Sequence, residues 1–174
     1  GFSEMKRVFQ SHLISTASSK ERLESFSYEV SPASSNSPAT FLETLVNNDI
    51  VALNDLKNSI SSEAIEQAVT LLQEAETIYV LGQLRSFSVA YNIRYLLLYL
   101  RQNVRLLDGS GGLATEEAEL MSEKSLLVAV SSRYYAREVV DIVEGTARKN
   151  IPILAITDSQ LSPLNKHATC SLVV

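Results

Sequence analysis

Short apolar stretches alternate regularly with longer stretches of helical periodicity from residue 77 to the end of this chain. The short stretches are rich in branched and aromatic residues and predict strands, whereas apolar residues at three- and four-residue spacing predict helices. The predicted strands are 77–82, 104–107, 125–130, 152–156 and 169–174. The predicted helices between and after them are 87–101, 114–122, 136–149 and 164–167. Strands that are apolar on both faces and joined by helices predict an α/β fold, a three-layer sandwich with a five-stranded parallel sheet.

The part of the chain that precedes the sheet contains two helical regions and a linker. Residues 1–30 are helical in pattern, and we do not expect them to join the sheet. The serine, proline and asparagine of 31–38 predict a linker, because these residues sustain neither a helix nor a ladder. Residues 39–73 predict two more helices that cover the sheet. We therefore expect 39–174 to be one domain of ordinary size.

The composition excludes several classes of protein. The net charge of −5 and the pI near 5.1 give the chain no general attraction for nucleic acid. A single cysteine, Cys170, excludes an internal disulfide and fits a reducing cytoplasm, and we expect it to be a buried structural thiol. With His12 and His167 as the only histidines, we expect no metal site and no cofactor. The apolar runs are too short to span a membrane.

A ligand site is expected at the carboxyl ends of the strands. In an open parallel sheet, ligands bind where the strand order reverses, which in a flavodoxin-like 2-1-3-4-5 order lies between the first and third strands. The loops concerned are 82–88 and 131–138, and both place serine hydroxyls ahead of a helix, where backbone N–H groups and the helix dipole suit a phosphate. Serine and glycine at such positions also serve as ordinary caps and turns. The candidate ligand-binding residues are Gly82, Arg85, Ser86, Ser131, Arg133 and Glu138.

Four motifs give the chain a family resemblance. They are G-x-x-x-S at Gly82 and Ser86, LLVAVS ending at Ser131, R-Y-x-x-R-E over 133–138, and A-I-T-D-S-x-L-S-P-L over 155–164. With these motifs, residues 75–174 resemble a SIS (sugar isomerase) domain, and more narrowly the sugar-binding domain of RpiR/MurR bacterial regulators. Residues 1–30 resemble the tail of that family's helix-turn-helix domain.

The resemblance implies a function in transcription regulation. It implies a cytoplasmic effector-sensing domain that binds a phosphorylated sugar or sugar acid without changing it chemically. It also implies operator DNA as a partner, through the helix-turn-helix domain of the full-length protein. Because such regulators read paired half-sites, we expect a homodimer or a higher homo-oligomer.

The sequence departs from the usual SIS pattern in both loops. Leu84 stands where the first loop commonly has a second glycine, and Arg133, Tyr134 and Ala136 replace a serine, a glycine and a threonine in the second. Two of the usual phosphate hydroxyls are therefore missing. We expect the charge of Arg133 to take over part of the anion contact, or to select a ligand that carries a carboxylate.

A sugar-phosphate isomerase is the first alternative. Isomerisation needs a general base and an acid that opens the sugar ring. Glu138 is the best candidate base and His167 a possible partner, but a carboxylate in the first turn of a helix and a histidine near a helix end both have ordinary structural roles. Asp108 and Asp158 follow strand ends, and we expect them to cap turns rather than to contact a ligand. No catalytic pair is assigned, so we predict a protein that is not an enzyme.

A SIS scaffold that serves only for dimerisation is the second alternative. The helix predicted at 87–101 is apolar nearly all round, which implies burial on more than one side. Tyr91, Tyr95 and Tyr99 recur along it at four-residue spacing. Although tyrosine is common at interfaces, we expect this stripe to lie in the core of the domain.

Overall fold

The computed structural model describes residues 37–133 and 135–174, and the predictions for 1–30 and for most of the linker lie outside these residues. The α-helices are α1 (Pro38–Ser59), α2 (Ser62–Glu74), α3 (Phe87–Tyr99), α4 (Ala114–Glu119) and α5 (Arg137–Arg148). The strands are β1 (Thr77–Gly82), β2 (Val104–Leu107), β3 (Ser125–Val130), β4 (Ile153–Thr157) and β5 (Cys170–Val173). Short 3₁₀ helices cover Leu84–Ser86, Ser110–Gly112 and Pro163–Lys166.

The five strands form one parallel sheet in the order β2-β1-β3-β4-β5. The predicted α/β class and the flavodoxin-like strand order are therefore confirmed. β1 lies at the point where the order reverses, with β2 on one side and β3 on the other. Gly82, the last residue of β1, is paired with Val130, the last residue of β3. The two loops that follow these strands consequently leave the sheet at the same edge, next to each other.

Side chains of successive strand residues enter two separate hydrophobic layers, as the pleat requires. Tyr79 and Leu81 of β1 lie in the layer that includes buried residues of α4 and α5. Ile78 and Val80 lie in the layer that includes buried residues of α2 and α3. All six residues of β3 are buried. This strand, central and covered on both faces, explains the uninterrupted apolar run of the sequence.

The contacts within the chain divide it between Asp55 and Leu56, so that Leu56–Val174 forms one compact unit. The division falls inside α1, a helix of 22 residues in which no side chain is buried. α2 belongs to the unit Leu56–Val174, which contains the sheet. Its residue Ala68 is buried, and the helix contacts β5. Within the described residues, no helix has the length and apolar character that crossing a membrane requires.

The expectation that the tyrosine stripe of α3 lies in the core was wrong. Tyr91, Tyr95 and Tyr99 are exposed, with Tyr99 at 72% of its full accessibility. Ala90 and Leu97 are the buried residues of this helix, so the side of α3 that contains these two residues faces the sheet. The tyrosines follow one another on a different side of the helix, which the remainder of the domain leaves uncovered.

Candidate functional site

The first loop turns sharply at the end of β1. A Cβ atom on Gly82 would lie 2.8 Å from the backbone oxygen of Ser86 and 2.8 Å from the Cβ of Ala90. Only glycine permits the start of α3 to approach the strand this closely. The close approach places Ser86 next to the strand end, where this serine is buried.

Leu84 occupies the place of the second glycine in the common SIS pattern and adopts a backbone conformation that favours glycine. Its φ is +54°, and its side chain is exposed. It begins the 3₁₀ turn Leu84–Ser86, in which the N–H of Ser86 donates to the carbonyl of Gln83 at 3.0 Å. The turn therefore keeps a left-handed residue after the strand although the glycine is absent, at a cost of about 1–2 kcal/mol in backbone strain.

We expect Leu84→Gly to raise the free energy of unfolding by about 0.5–1 kcal/mol, because relief of that strain exceeds the entropy that glycine adds to the unfolded chain. Leu120→Gly is the matched control, since Leu120 is also exposed but has an ordinary helical φ of −77°. The control should lose about 0.5–1 kcal/mol. Urea unfolding of both variants measures the difference. Equal losses in the two variants would show that Leu84 is not strained.

The second loop is organised by Asp158, which directly follows β4. One carboxylate oxygen of Asp158 accepts a hydrogen bond from the backbone N–H of Arg133 at 2.9 Å, and the other accepts one from the hydroxyl of Tyr135 at 2.9 Å. Burial and this bond to Asp158 raise the pKa of Tyr135, so its hydroxyl stays a donor at neutral pH. Ser131, the first residue of the loop, is buried. Asp158 thus holds the second loop in shape. Its partners lie 25 and 23 residues earlier in the chain, whereas the sequence predicted that it caps the turn after its own strand.

Asp108 acts in a similar way after β2. Its carboxylate accepts a hydrogen bond from the backbone N–H of Ser110 at 2.8 Å, which closes a local turn. Hydrogen bonds from the backbone and side chain of Ser110 lower the pKa of Asp108. The prediction that this aspartate caps a turn is confirmed.

The two loops are joined by the side chains of Gln83 and Glu138. The amide Nε2 of Gln83 donates a hydrogen bond to Oε2 of Glu138, and both residues are half-buried. Glu138 lies in the first turn of α5, a helix whose N-cap, Ala136, offers no side-chain cap. The threonine that SIS domains commonly have at this place would cap the helix. In its absence, the carboxylate of Glu138 is the negative group of the first turn.

The structure brings the predicted site residues to one edge of the sheet. Gly82 and Ser86 follow β1, Ser131 and Arg133 follow β3, and Glu138 links the second loop to the first through Gln83. Arg85, Arg133 and Arg137 are exposed and carry the positive charge of the two loops. No group of side chains suited to a metal ion exists in the described parts of the chain.

Sequence reasoning missed two residues that shape this edge, Gln83 and Tyr135. A glutamine directly after a strand-ending glycine was a usable signal for the first, because a polar side chain at that place must enter or border the crevice. Tyr135 carried no such signal, since its partner Asp158 is 23 residues further along the chain.

His167 has a different environment from the one an isomerase would need. Its Nε2 lies 3.9 Å from Oε1 of Glu144, six residues beyond Glu138 along α5. Glu144 and His167 line an open cavity of about 370 Å³ together with Ala147 and Arg148. His167 is therefore paired with a carboxylate outside the two loops.

Comparison with known proteins identifies the fold and the family. Residues 71–174 match the SIS domain family. The sugar isomerase domain of an RpiR transcription factor from Sphaerobacter thermophilus is 32% identical, with a TM-score of 0.72 over 75% of this chain and 73% of that chain. The NanR protein of Vibrio vulnificus in complex with ManNAc-6P is 23% identical, with a TM-score of 0.71 over 77% of this chain and 50% of that one.

The bifunctional protein glk of Burkholderia thailandensis is 27% identical over 129 residues, which are 74% of this chain and 20% of that protein. The chain thus spans about one fifth of the length of the curated relatives that it matches. The SIS family contains isomerases as well as regulators, so membership alone does not decide the activity. The family match, the strand order and the 32% identity to the sugar isomerase domain of an RpiR transcription factor agree with one another. The chain therefore belongs to the SIS domain family, and its SIS domain is of the kind found in RpiR transcription regulators.

Proposed function

We propose that this chain is the effector-sensing part of a bacterial transcription regulator and that it binds a phosphorylated sugar between the loops 82–88 and 131–138. One observation carries the proposal: Ser86 and Ser131 are buried at adjacent strand ends, and neither hydroxyl is hydrogen-bonded to another described residue. Among the described residues, Oδ1 of Asn165 is the enclosed side-chain oxygen or nitrogen without a partner, so both serine hydroxyls remain open to the surface. Two open hydroxyls at neighbouring strand ends suit the oxygens of a bound anion.

The surroundings of the two serines favour a phosphate in particular. Ser86 directly precedes α3, and Ser131 begins the loop that leads to α5, so the N-terminal N–H groups of two helices lie on this edge of the sheet. Arg85 and Arg133 add positive charge at exposed positions of the same loops. Arginine binds phosphate in a bidentate manner and keeps its charge at any physiological pH.

Sensing is favoured over catalysis by the arrangement of the titratable groups. His167 lies beside Glu144, and Glu138 is held by Gln83, so among the described residues the two candidate catalytic groups do not face each other across the loops. NanR of Vibrio vulnificus, part of which shares the fold, was solved in complex with ManNAc-6P, a sugar phosphate. We place this protein in the cytoplasm, and we assign operator binding to a helix-turn-helix domain of which residues 1–30 are the end.

The exposed face of α3 is proposed as the contact with a second copy of the chain. Arg94 is the only charged residue of this helix and is half-buried, so the exposed side carries no charged group. Two copies of net charge −5 repel each other, and an uncharged face is where they approach at the least cost. The large exposed side chains extend round more than half of the helix and include Leu100 directly after it: Phe87, Val89, Tyr91, Tyr95, Leu96, Leu98, Tyr99 and Leu100. At roughly 100 Å² each, they offer an exposed area comparable to the area of about 800 Å² that a standard interface buries per partner.

Thermal unfolding in the presence of a panel of aldose and ketose phosphates tests the proposed effector site. A ligand at one hundred times its Kd should stabilise the fold by about 2.7 kcal/mol. Ser86→Ala and Ser131→Ala should each weaken binding by about 1–3 kcal/mol, because each removes a hydrogen bond to a charged oxygen. The same panel should show no interconversion of aldose and ketose.

Ser125→Ala is the matched control, since Ser125 is buried at the opposite end of the strand that leads to Ser131. This variant should leave the Kd unchanged even if it lowers stability. Absence of any stabilisation of the wild-type protein across the panel would favour the dimerisation scaffold. Isomerase activity that disappears in Glu138→Ala would replace the sensor with an enzyme.

A further inference from the structure

The hydrogen bond between Gln83 and Glu138 spans the crevice between the two candidate loops. Gln83 follows β1 directly, and its Nε2 lies near the next loop as well, 3.9 Å from where a Cβ on Gly109 would be. Glu138 lies 55 residues further along the chain, in the first turn of α5. The pair therefore fixes the position of a carboxylate at the edge of the sheet where the proposed ligand binds.

The chemistry of a carboxylate limits what can bind beside it. An ionised carboxylate only accepts hydrogen bonds. Oε2 of Glu138 accepts one from Gln83, and among the described residues Oε1 has no donor. A ligand group next to Oε1 is therefore favoured if it is a donor, such as a sugar hydroxyl, and disfavoured if it is a second anion.

The other charged groups of the two loops differ from Glu138 in this respect. Asp158 already accepts hydrogen bonds from Arg133 and Tyr135, so its carboxylate is used within the protein. Arg85, Arg133 and Arg137 are exposed cations, and Arg137 lies 3.7 Å from a carboxylate oxygen of Asp141. The crevice thus has one hydrogen-bond acceptor, the carboxylate of Glu138, which Gln83 holds in place. The hydroxyls of Ser86 and Ser131 and the arginines of the loops are separate groups, and they suit a single anionic group of a ligand.

We propose that Gln83 is a positioning residue that orients Glu138 to accept a hydrogen bond from a ligand hydroxyl, and that this pair makes the site select phosphorylated sugars over phosphorylated sugar acids. The inference rests on the proposed function and narrows its effector class. It opposes the expectation that Arg133 selects a ligand with a carboxylate, because the carboxylate of such a ligand would meet that of Glu138.

Matched pairs of ligands test this selection. Each pair consists of a hexose 6-phosphate, called the neutral member because its sugar part is uncharged, and the aldonic acid 6-phosphate derived from it, whose sugar part carries a carboxylate. Calorimetric titration of the wild-type protein should give at least a tenfold lower Kd for the neutral member of a pair that binds. Glu138→Gln should bring the two Kd values within about threefold of each other, because it removes the charge and keeps the shape.

Gln83→Leu should weaken binding of the neutral member by about three- to tenfold, because Glu138 is then no longer held in place. For the same reason it should bring the ratio of the two Kd values of a pair closer to one. Gln67→Leu is the matched control: Nε2 of Gln67 also donates a hydrogen bond, but to the carbonyl of Thr169 before β5, away from the loops. The control should leave both Kd values unchanged. A purely structural role of Gln83 would weaken both ligands of a pair equally and leave the ratio as it is.

The outcomes separate this inference from the function on which it rests. If neutral sugar phosphates bind but the acids bind equally well or better, the selection by Glu138 is disproved and the sensor remains. The same holds if Glu138→Gln or Gln83→Leu leaves the ratio unchanged. If no member of any pair binds to the wild-type protein, both the proposed function and the inference are wrong.

Discussion

Gly82→Ala is expected to lower the free energy of unfolding by about 2–3 kcal/mol, at the upper end of the usual cost of overpacking. The added methyl group would lie 2.8 Å from the backbone oxygen of Ser86 and 2.8 Å from the Cβ of Ala90. Neither neighbour can give way by rotating a side chain, because one is backbone and the other is a fully buried alanine. The start of α3 must therefore move away from β1, and Ser86 moves with it.

Gly145→Ala is the control for this prediction, because it makes the same substitution where there is room. The new Cβ would lie 3.6 Å from Nη2 of Arg148, an ordinary contact, in the interior of α5. The control should gain about 0.5–1 kcal/mol from the better helix propensity of alanine. Urea unfolding gives both values, and sugar-phosphate binding should be lost in Gly82→Ala alone. An unchanged unfolding midpoint for Gly82→Ala would mean that the loop relaxes freely.

The sheet could be predicted from the sequence because strands buried on both faces leave uninterrupted apolar runs. The bounds of β1, β2 and β3 agree with the prediction, β4 lies one residue later, and β5 is one residue shorter at each end. Helix ends were less accurate: the helix predicted at 87–101 ends at Tyr99, and Arg101 adopts a φ of +58°. Apolar periodicity continues past such an end, since Leu100 is apolar, and it does not report the backbone conformation that stops the helix.

The contacts within the site were beyond the reach of sequence patterns. The loops were located correctly because parallel strands bring their carboxyl ends to one edge, a rule that needs only the strand order. The bonds from Gln83 to Glu138 and from Arg133 to Asp158 join residues 55 and 25 positions apart. Their existence depends on the packing of the loops, which periodicity does not encode. The side of α3 that faces solvent was equally hidden, because apolar residues occur on both of its sides.

The exposed side of α3 leads to the second prediction with a large effect, which concerns association. We expect the wild-type protein to be a dimer at tens of micromolar, and Leu96→Glu to raise the dissociation constant at least a hundredfold. Leu96 is 52% exposed, so the substitution leaves the fold of the single chain intact. In a two-fold symmetric interface the same patch meets itself, so one substitution introduces two like charges into an apolar contact.

Leu161→Glu separates association through α3 from a general effect of added charge. Leu161 is 91% exposed and lies in the loop after β4, so this variant carries the same additional charge as Leu96→Glu at a place outside α3. Sedimentation velocity over a range of concentrations should find the control dimeric and Leu96→Glu monomeric. The far-UV circular dichroism spectra of the two variants should be the same, which shows that both are folded. A monomeric wild-type protein, or dissociation of both variants to the same degree, would remove α3 as the interface. Dissociation of Leu96→Glu alone would show that the apolar side of α3 is retained because a second copy covers it, which is why its tyrosines lie outside the core of the domain.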